Sequence, residues 1–286
     1  MDIKSIVKKA SSKIILHPFL AAFFLASAAI TVGSGWFFSG YNYKTIFHGL
    51  SLIGPQTITI GFVADIHAGS QDLRTQGLED ENILYPSRFE ENFKPALEKM
   101  EDCDLIIALG DSLNKPSKKY AKKIKDLTKK YPMAWVKGNH EDDEIFKEFQ
   151  PINHYYIDKG KWRFVILDNG NIDHSIDYAK EAYIPRGYME PEQVEWLKEV
   201  LKTDRKIAVA MHVPIFDRFD FEKVYPELEY LKKMFEDSGN VKYVLAGHFH
   251  INEWHKNING IEYYIIPSLS QKGKEGYSLT LTLPND

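Results

Sequence analysis

Beyond Gln56 the chain alternates short apolar runs with amphipathic stretches, and this alternation limits the fold more than any other feature. The runs are 57–64, 105–109, 133–136, 162–167, 206–211, 241–246, 262–267 and 277–283. Several are apolar at every position, as strands covered on both faces are. Between them, apolar residues recur at helical spacing: Phe89, Phe93 and Leu97; Tyr120, Ile124 and Leu127; Val194, Leu197 and Leu201; Leu228, Leu231 and Phe235. Pro191 suits a helix first turn, whereas Pro95 disturbs the middle of its stretch. Strands alternating with helices predict an α/β fold. No helical pattern separates the last two runs, so they are expected to pair antiparallel.

Five of these runs end in side chains that can bind metal. The first ends in Asp65 and His67, and the second in Gly110-Asp111. The third ends in Gly138-Asn139-His140-Glu141, the fifth in His212, and the sixth in His248 and His250. In open α/β sheets the carboxyl edge is where ligands bind, so five loops reaching one edge bring these groups together. Two Asp, four His and an Asn oxygen make a mixed nitrogen and oxygen set suited to Mn, Fe or Zn. The set exceeds the needs of one ion, which implies two. Taken singly each pair has a plain structural reading: Gly110-Asp111 as a turn, His212 as a core histidine. Five of the ten histidines fall at strand ends. The others, His17, His48, His154, His174 and His255, lack that context and read as structural or surface residues.

Charge sharpens this reading. The first 56 residues hold five Lys and one Asp, leaving 31 basic against 39 acidic residues beyond them. So acidic a body does not look like a general nucleic-acid binder, which would need a basic stripe, and no nucleic-acid partner is expected. Two cations would supply the charge that an anionic substrate needs. Cys103 is the single cysteine, which excludes an intramolecular disulfide and a Cys-based zinc site.

The segments "DIH", "GD", "GNHE", "MHVP" and "GHFH" resemble the signature of the calcineurin-like metallophosphoesterase superfamily. The stretch "YMEPEQVEWLKEVL" is similar to the branch of cyclic-nucleotide phosphodiesterase-like and purple-acid-phosphatase-like proteins. The resemblance implies a four-layer α/β/β/α sandwich over 57–286. It implies that Asp65, His67 and His250 hold one ion, that Asn139, His212 and His248 hold the other, and that Asp111 bridges them. It implies hydrolysis of a phosphate mono- or diester by a hydroxide between the ions, with His140 contacting the phosphoryl group or protonating the leaving oxygen. An inactive scaffold on the same fold, or a nuclease, is the alternative. Asn114 stands where relatives carry Asp or Tyr, so no tyrosinate-bound Fe(III) is expected, and an Asp to orient His140 is missing. Arg74, Arg88, Tyr183, Arg186 and Arg218 lie on segments that follow the ligand runs and are candidates to face substrate.

Residues 14–32 carry no charged side chain and follow Lys4, Lys8, Lys9 and Lys13. As a helix they would extend about 28 Å, near the thickness of a bilayer core. Trp36, Phe37 and Phe38 follow, as an interfacial belt would. Residues 1–38 therefore read as a membrane anchor with a cytoplasmic N-terminus and an extracytoplasmic body. Ala26-Ser27-Ala28 supports the alternative, a cleaved signal and a secreted protein. Residues 39–56 form the connector, where 43–52 are expected to add an edge strand. A small-molecule or lipid phosphoester is the expected substrate.

Overall fold

The apolar runs assemble into two sheets with a shared interior. The computed structural model describes residues 57–74, 83–172 and 187–285, all within one unit, Gly54–Asp286. In chain order the strands are β1 (Thr57–Val63), β2 (Leu73–Arg74), β3 (Ile83–Leu84), β4 (Leu105–Leu109), β5 (Met133–Val136), β6 (Tyr155–Lys159), β7 (Trp162–Ile166) and β8 (Asn171–Ile172). They continue as β9 (Gly187–Tyr188), β10 (Lys206–Ala210), β11 (Phe216–Asp217), β12 (Asp220–Val224), β13 (Val241–Ala246), β14 (Trp254–Ile258), β15 (Ile261–Ile265) and β16 (Leu279–Pro284). The helices are α1 (Phe89–Lys99), α2 (Lys118–Thr128), α3 (Asp143–Phe146), α4 (Pro191–Val200) and α5 (Glu229–Ser238).

One sheet has the order β16-β1-β4-β5, and the other β14-β15-β13-β10-β7-β6. In the first, β1, β4 and β5 are parallel and β16 is antiparallel. In the second, β7, β10, β13 and β15 are parallel, with β6 and β14 antiparallel at the edges. Alternate residues of the central strands face opposite ways, and both ways are apolar. Ile58, Ile60 and Phe62 of β1 meet Trp162, Phe164 and Ile166 of β7 between the sheets. Val63, Ile106 and Trp135 instead face Phe93 and Leu97 of α1 and Ile124 of α2. Val165, Val209 and Val244 pack on Leu197 of α4 and Leu231 and Phe235 of α5. The result is helices, sheet, sheet, helices. Phe164 is fully buried, and truncating such a ring to Ala costs about 3–5 kcal/mol.

Three sequence expectations need comment. The last two runs do not pair with each other: β15 joins β13 and β14, while β16 joins β1 in the opposite sheet. The buried segment after β15 crosses between sheets, and Leu269 N–H donates to the Ala64 carbonyl at 2.9 Å. Pro95 lies inside α1. Both Pro95 and Glu91, whose carbonyl loses its helical donor, are exposed, so water is available to that carbonyl. Strands β6 and β14 were not anticipated. No helix of the described residues is long and apolar enough to cross a membrane; residues 14–32, 43–52, Tyr183 and Arg186 lie outside them.

Candidate metal centre

Parallel strands end at a common edge, and five of them deliver the candidate ligands there. Asp65 and His67 follow β1, Asp111 follows β4, Asn139 and His140 follow β5, His212 follows β10, and His248 and His250 follow β13. Hydrogen bonding continues past the strands into these loops. His67 N–H donates to the Asp111 carbonyl at 2.8 Å, Ala68 N–H to Ser112 at 2.9 Å, and Gly247 N–H to His212 at 3.0 Å. The loop conformations are unusual. Asp65, His67, Asp111, His248 and His250 all have φ between 48 and 69° or, for Asp111, 47°. That left-handed region costs a non-glycine residue roughly 1–2 kcal/mol. Among the described residues Asn259 is the only other non-glycine found there.

The side chains form two groups that share Asp111. Asp65, His67, Asp111 and His250 offer ligand atoms all within 4.8 Å of one another, and Asp111, His212 and His248 do the same. In the first group His67 Nε2 lies 3.1 Å from His250 Nε2, and Asp65 Oδ1 lies 3.3 Å from His250 Nε2. In the second, His212 Nε2 is 3.2 Å from Asp111 Oδ2 and 3.0 Å from Asn139 Oδ1. All seven ligand candidates are therefore gathered at one place. Imidazole nitrogens and carboxylate oxygens converging this closely make a donor set that fits cations. His67 Nδ1 is buried without a partner, while its Nε2 faces His250.

Close backbone approach explains two glycines of the pattern. A Cβ on Gly138 would lie 2.1 Å from the Asp111 main-chain nitrogen and from its Oδ1. Gly110 has φ of 87°, and a Cβ there would lie 2.3 Å from His212 Nδ1.

Electrostatics at this edge follow from burial and proximity. Burial holds His67 well below the usual imidazole range. Burial also lowers His248, helped by the nearby His212. Burial opposes a charge on His212 as well, but the Asp111 carboxylate outweighs it and pushes the pKa up to about 10. Burial would raise Asp111, yet His212 and His140 hold it well below the carboxylate range. Burial beside Asp111 raises Glu141 to about 7.

Several residues have supporting roles that were not read from the sequence. Glu141 accepts from Leu113 N–H at 2.7 Å and from Gly138 N–H at 2.9 Å, tying the β4 loop to the β5 loop. Asn169 Oδ1 accepts from His212 N–H at 2.9 Å and Val213 N–H at 3.1 Å. It follows β7 in "FVILDNG", a sixth apolar run with polar residues at its end, and that was the available signal. Asn114 orients His140 through its main chain: His140 Nδ1 lies 2.7 Å from the Asn114 carbonyl. An Asp side chain is not needed for that contact, contrary to the concern raised by the sequence. Of the remaining histidines, His154 packs on Trp196, and His255 stacks on Tyr264 and pairs with Glu262 at 2.6 Å.

Residues 58–252, more than half of the chain, match the family described as calcineurin-like phosphoesterase. A dimetal phosphatase from Danio rerio superposes with a TM-score of 0.60 at 13% identity, covering 80% of this chain and 99% of that one. A purple acid phosphatase from yellow lupin (Lupinus luteus) seeds gives 0.51 at 17% identity, over 75% of this chain and 44% of that one. At such identities the likeness is one of fold. No curated protein matches the chain. Family match and gathered ligand set agree: the chain belongs to the calcineurin-like phosphoesterases, metal-dependent hydrolases that act on ester bonds.

Proposed function

We propose that the protein hydrolyses a phosphoester with two transition-metal ions, Mn, Fe or Zn, held by Asp65, His67 and His250 on one side and Asn139, His212 and His248 on the other, with Asp111 between. The observation that carries this is the pair of ligand groups joined through Asp111. When bound, two such ions acidify a water that can attack phosphorus and neutralise charge on the phosphoryl oxygens. The chain's own residues supply the rest. Neutral His67 and His248 are already in the form that ligates. Asn169 and Glu141 hold the loops on which His212, Asn139 and Asp111 stand.

His140 has a different part. With Nδ1 directed to the Asn114 carbonyl, its Nε2 lies 3.8 Å from Asp111 Oδ2. The ring is partly exposed, so substrate can reach it. It contacts the phosphoryl group or gives a proton to the leaving oxygen.

Residues 14–32 tether the domain to a membrane, with the N-terminus cytoplasmic and the domain outside. Their uncharged length and the four preceding lysines support this reading. The decisive experiment is turnover of p-nitrophenyl phosphate and bis-p-nitrophenyl phosphate by protein reconstituted with Mn, Fe or Zn, beside metal-stripped protein. Absence of turnover with fully bound metal would favour a scaffold. Intact mass of membrane-extracted protein tests the tether, since loss of residues up to Ala28 would mark a cleaved signal.

A further inference from the structure

Arg218 is the described arginine whose surroundings call for a ligand. Arg163 pairs with Asp158 at 2.8 Å, Arg205 with the same carboxylate at 3.3 Å, and Arg88 is exposed over the Tyr85 ring. Arg218 is half-buried, and among the described residues no carboxylate pairs with its guanidinium. The acidic residues beside it are committed elsewhere. Asp217 accepts from Phe219 N–H at 2.8 Å, and Asp220 pairs with Lys223 at 2.9 Å. A partly desolvated cation without a counter-ion is costly, and such a site favours an incoming anion.

The position of Arg218 says which anion. It lies on the β11–β12 hairpin, shortly after His212. Phe221 of that hairpin packs on Phe249 at 6.2 Å and on Trp254 at 5.2 Å. Phe249 stands between His248 and His250, so the hairpin is docked on the loop that carries both. Arg218 N–H donates to the hydroxyl of buried Tyr225 at 3.1 Å, which fixes the backbone from which the side chain departs.

We propose that Arg218 receives phosphoryl oxygens of the substrate on the His248 side of the centre, and so selects esters with a dianionic phosphoryl group over singly charged diesters. This rests on the phosphoesterase reading above. In an acidic body, one more cation at the centre adds attraction for each added negative charge.

The test compares wild type, Arg218→Ala and Lys223→Ala, each reconstituted with metal and checked for metal content and Tm. Lys223→Ala removes an equal charge from the same hairpin. Arg218→Ala is expected to raise KM for p-nitrophenyl phosphate about 10–100-fold, to affect bis-p-nitrophenyl phosphate far less, and to weaken calorimetric binding of orthophosphate in parallel. Unchanged KM and phosphate affinity in Arg218→Ala, or an equal loss in Lys223→Ala, overturns the assignment. If Arg218→Ala does not fold, Arg218→Gln takes its place. If wild type turns over no phosphoester, the phosphoesterase reading fails, while orthophosphate affinity still decides whether Arg218 binds the anion.

Discussion

His140 owes its orientation to a carbonyl, and the carbonyl survives a change of side chain. Asn114→Ala should therefore leave the His140 ring in place and the pH–rate profile nearly unmoved, whereas His140→Ala should lower kcat about 10²–10⁴-fold with both ions retained. Steady-state kinetics with metal analysis checks the pair. Normal turnover in His140→Ala removes that residue from the reaction. Gly138 tests the packing on Asp111. A methyl group 2.1 Å from Asp111 atoms cannot be absorbed by a rotamer, because one of those atoms is main chain. Gly138→Ala should destabilise by about 1–3 kcal/mol and weaken metal uptake. A chemical melt and a metal titration would show it.

At the level of elements, legibility followed periodicity. The buried parallel strands are continuous apolar runs, and β4, β5 and β13 start and stop where those runs do. Edge strands β6 and β14 carry half-exposed alternating residues, so their composition resembles a loop. A stronger signal was present for β14. Asn259-Gly260 joins it to β15 with φ of 52° and 83°, the dipeptide that two-residue hairpins favour. A Cβ at Gly260 would meet nothing within 4 Å. Gly260→Ala should thus cost only the backbone term, about 1 kcal/mol, seen as a modest fall in Tm. No change would mean the turn relaxes. The gathering of the candidate ligands was legible because each follows a run that reads as a strand. Glu141 and Asn169 stood at run ends too, but their supporting roles were not legible, because both act on main-chain N–H groups.

For the whole domain, protons and cations compete for the same edge. In metal-free protein His212 is raised from 6.5 to about 10 and Glu141 from 4.5 to about 7. A raised folded-state pKa means that the native state binds more protons, so stability is present at low pH and is lost as pH climbs to the folded value. His67 and His248 act oppositely, but only below 6.5. Above about pH 7 the His212 contribution governs, and the Tm of stripped protein should decline toward pH 9. Metal-loaded protein should not follow, because its ligands are deprotonated at the outset. Melts of both forms across that range give the answer; a stripped-protein Tm that rises there contradicts it.

The left-handed backbone at Asp65, His67, Asp111, His248 and His250 bears on how a lineage could abandon this chemistry. Glycine would sit at each of those positions without the steric conflict. At Asp65 and Asp111 that relief is offset, because their carboxylates accept from His248 N–H and His140 N–H, each at 2.9 Å; at the half-buried His248 and His250 a descendant released from turnover would find glycine easier to accept. Histidines kept at 248 and 250 in a divergent homologue would then argue for continued selection on activity.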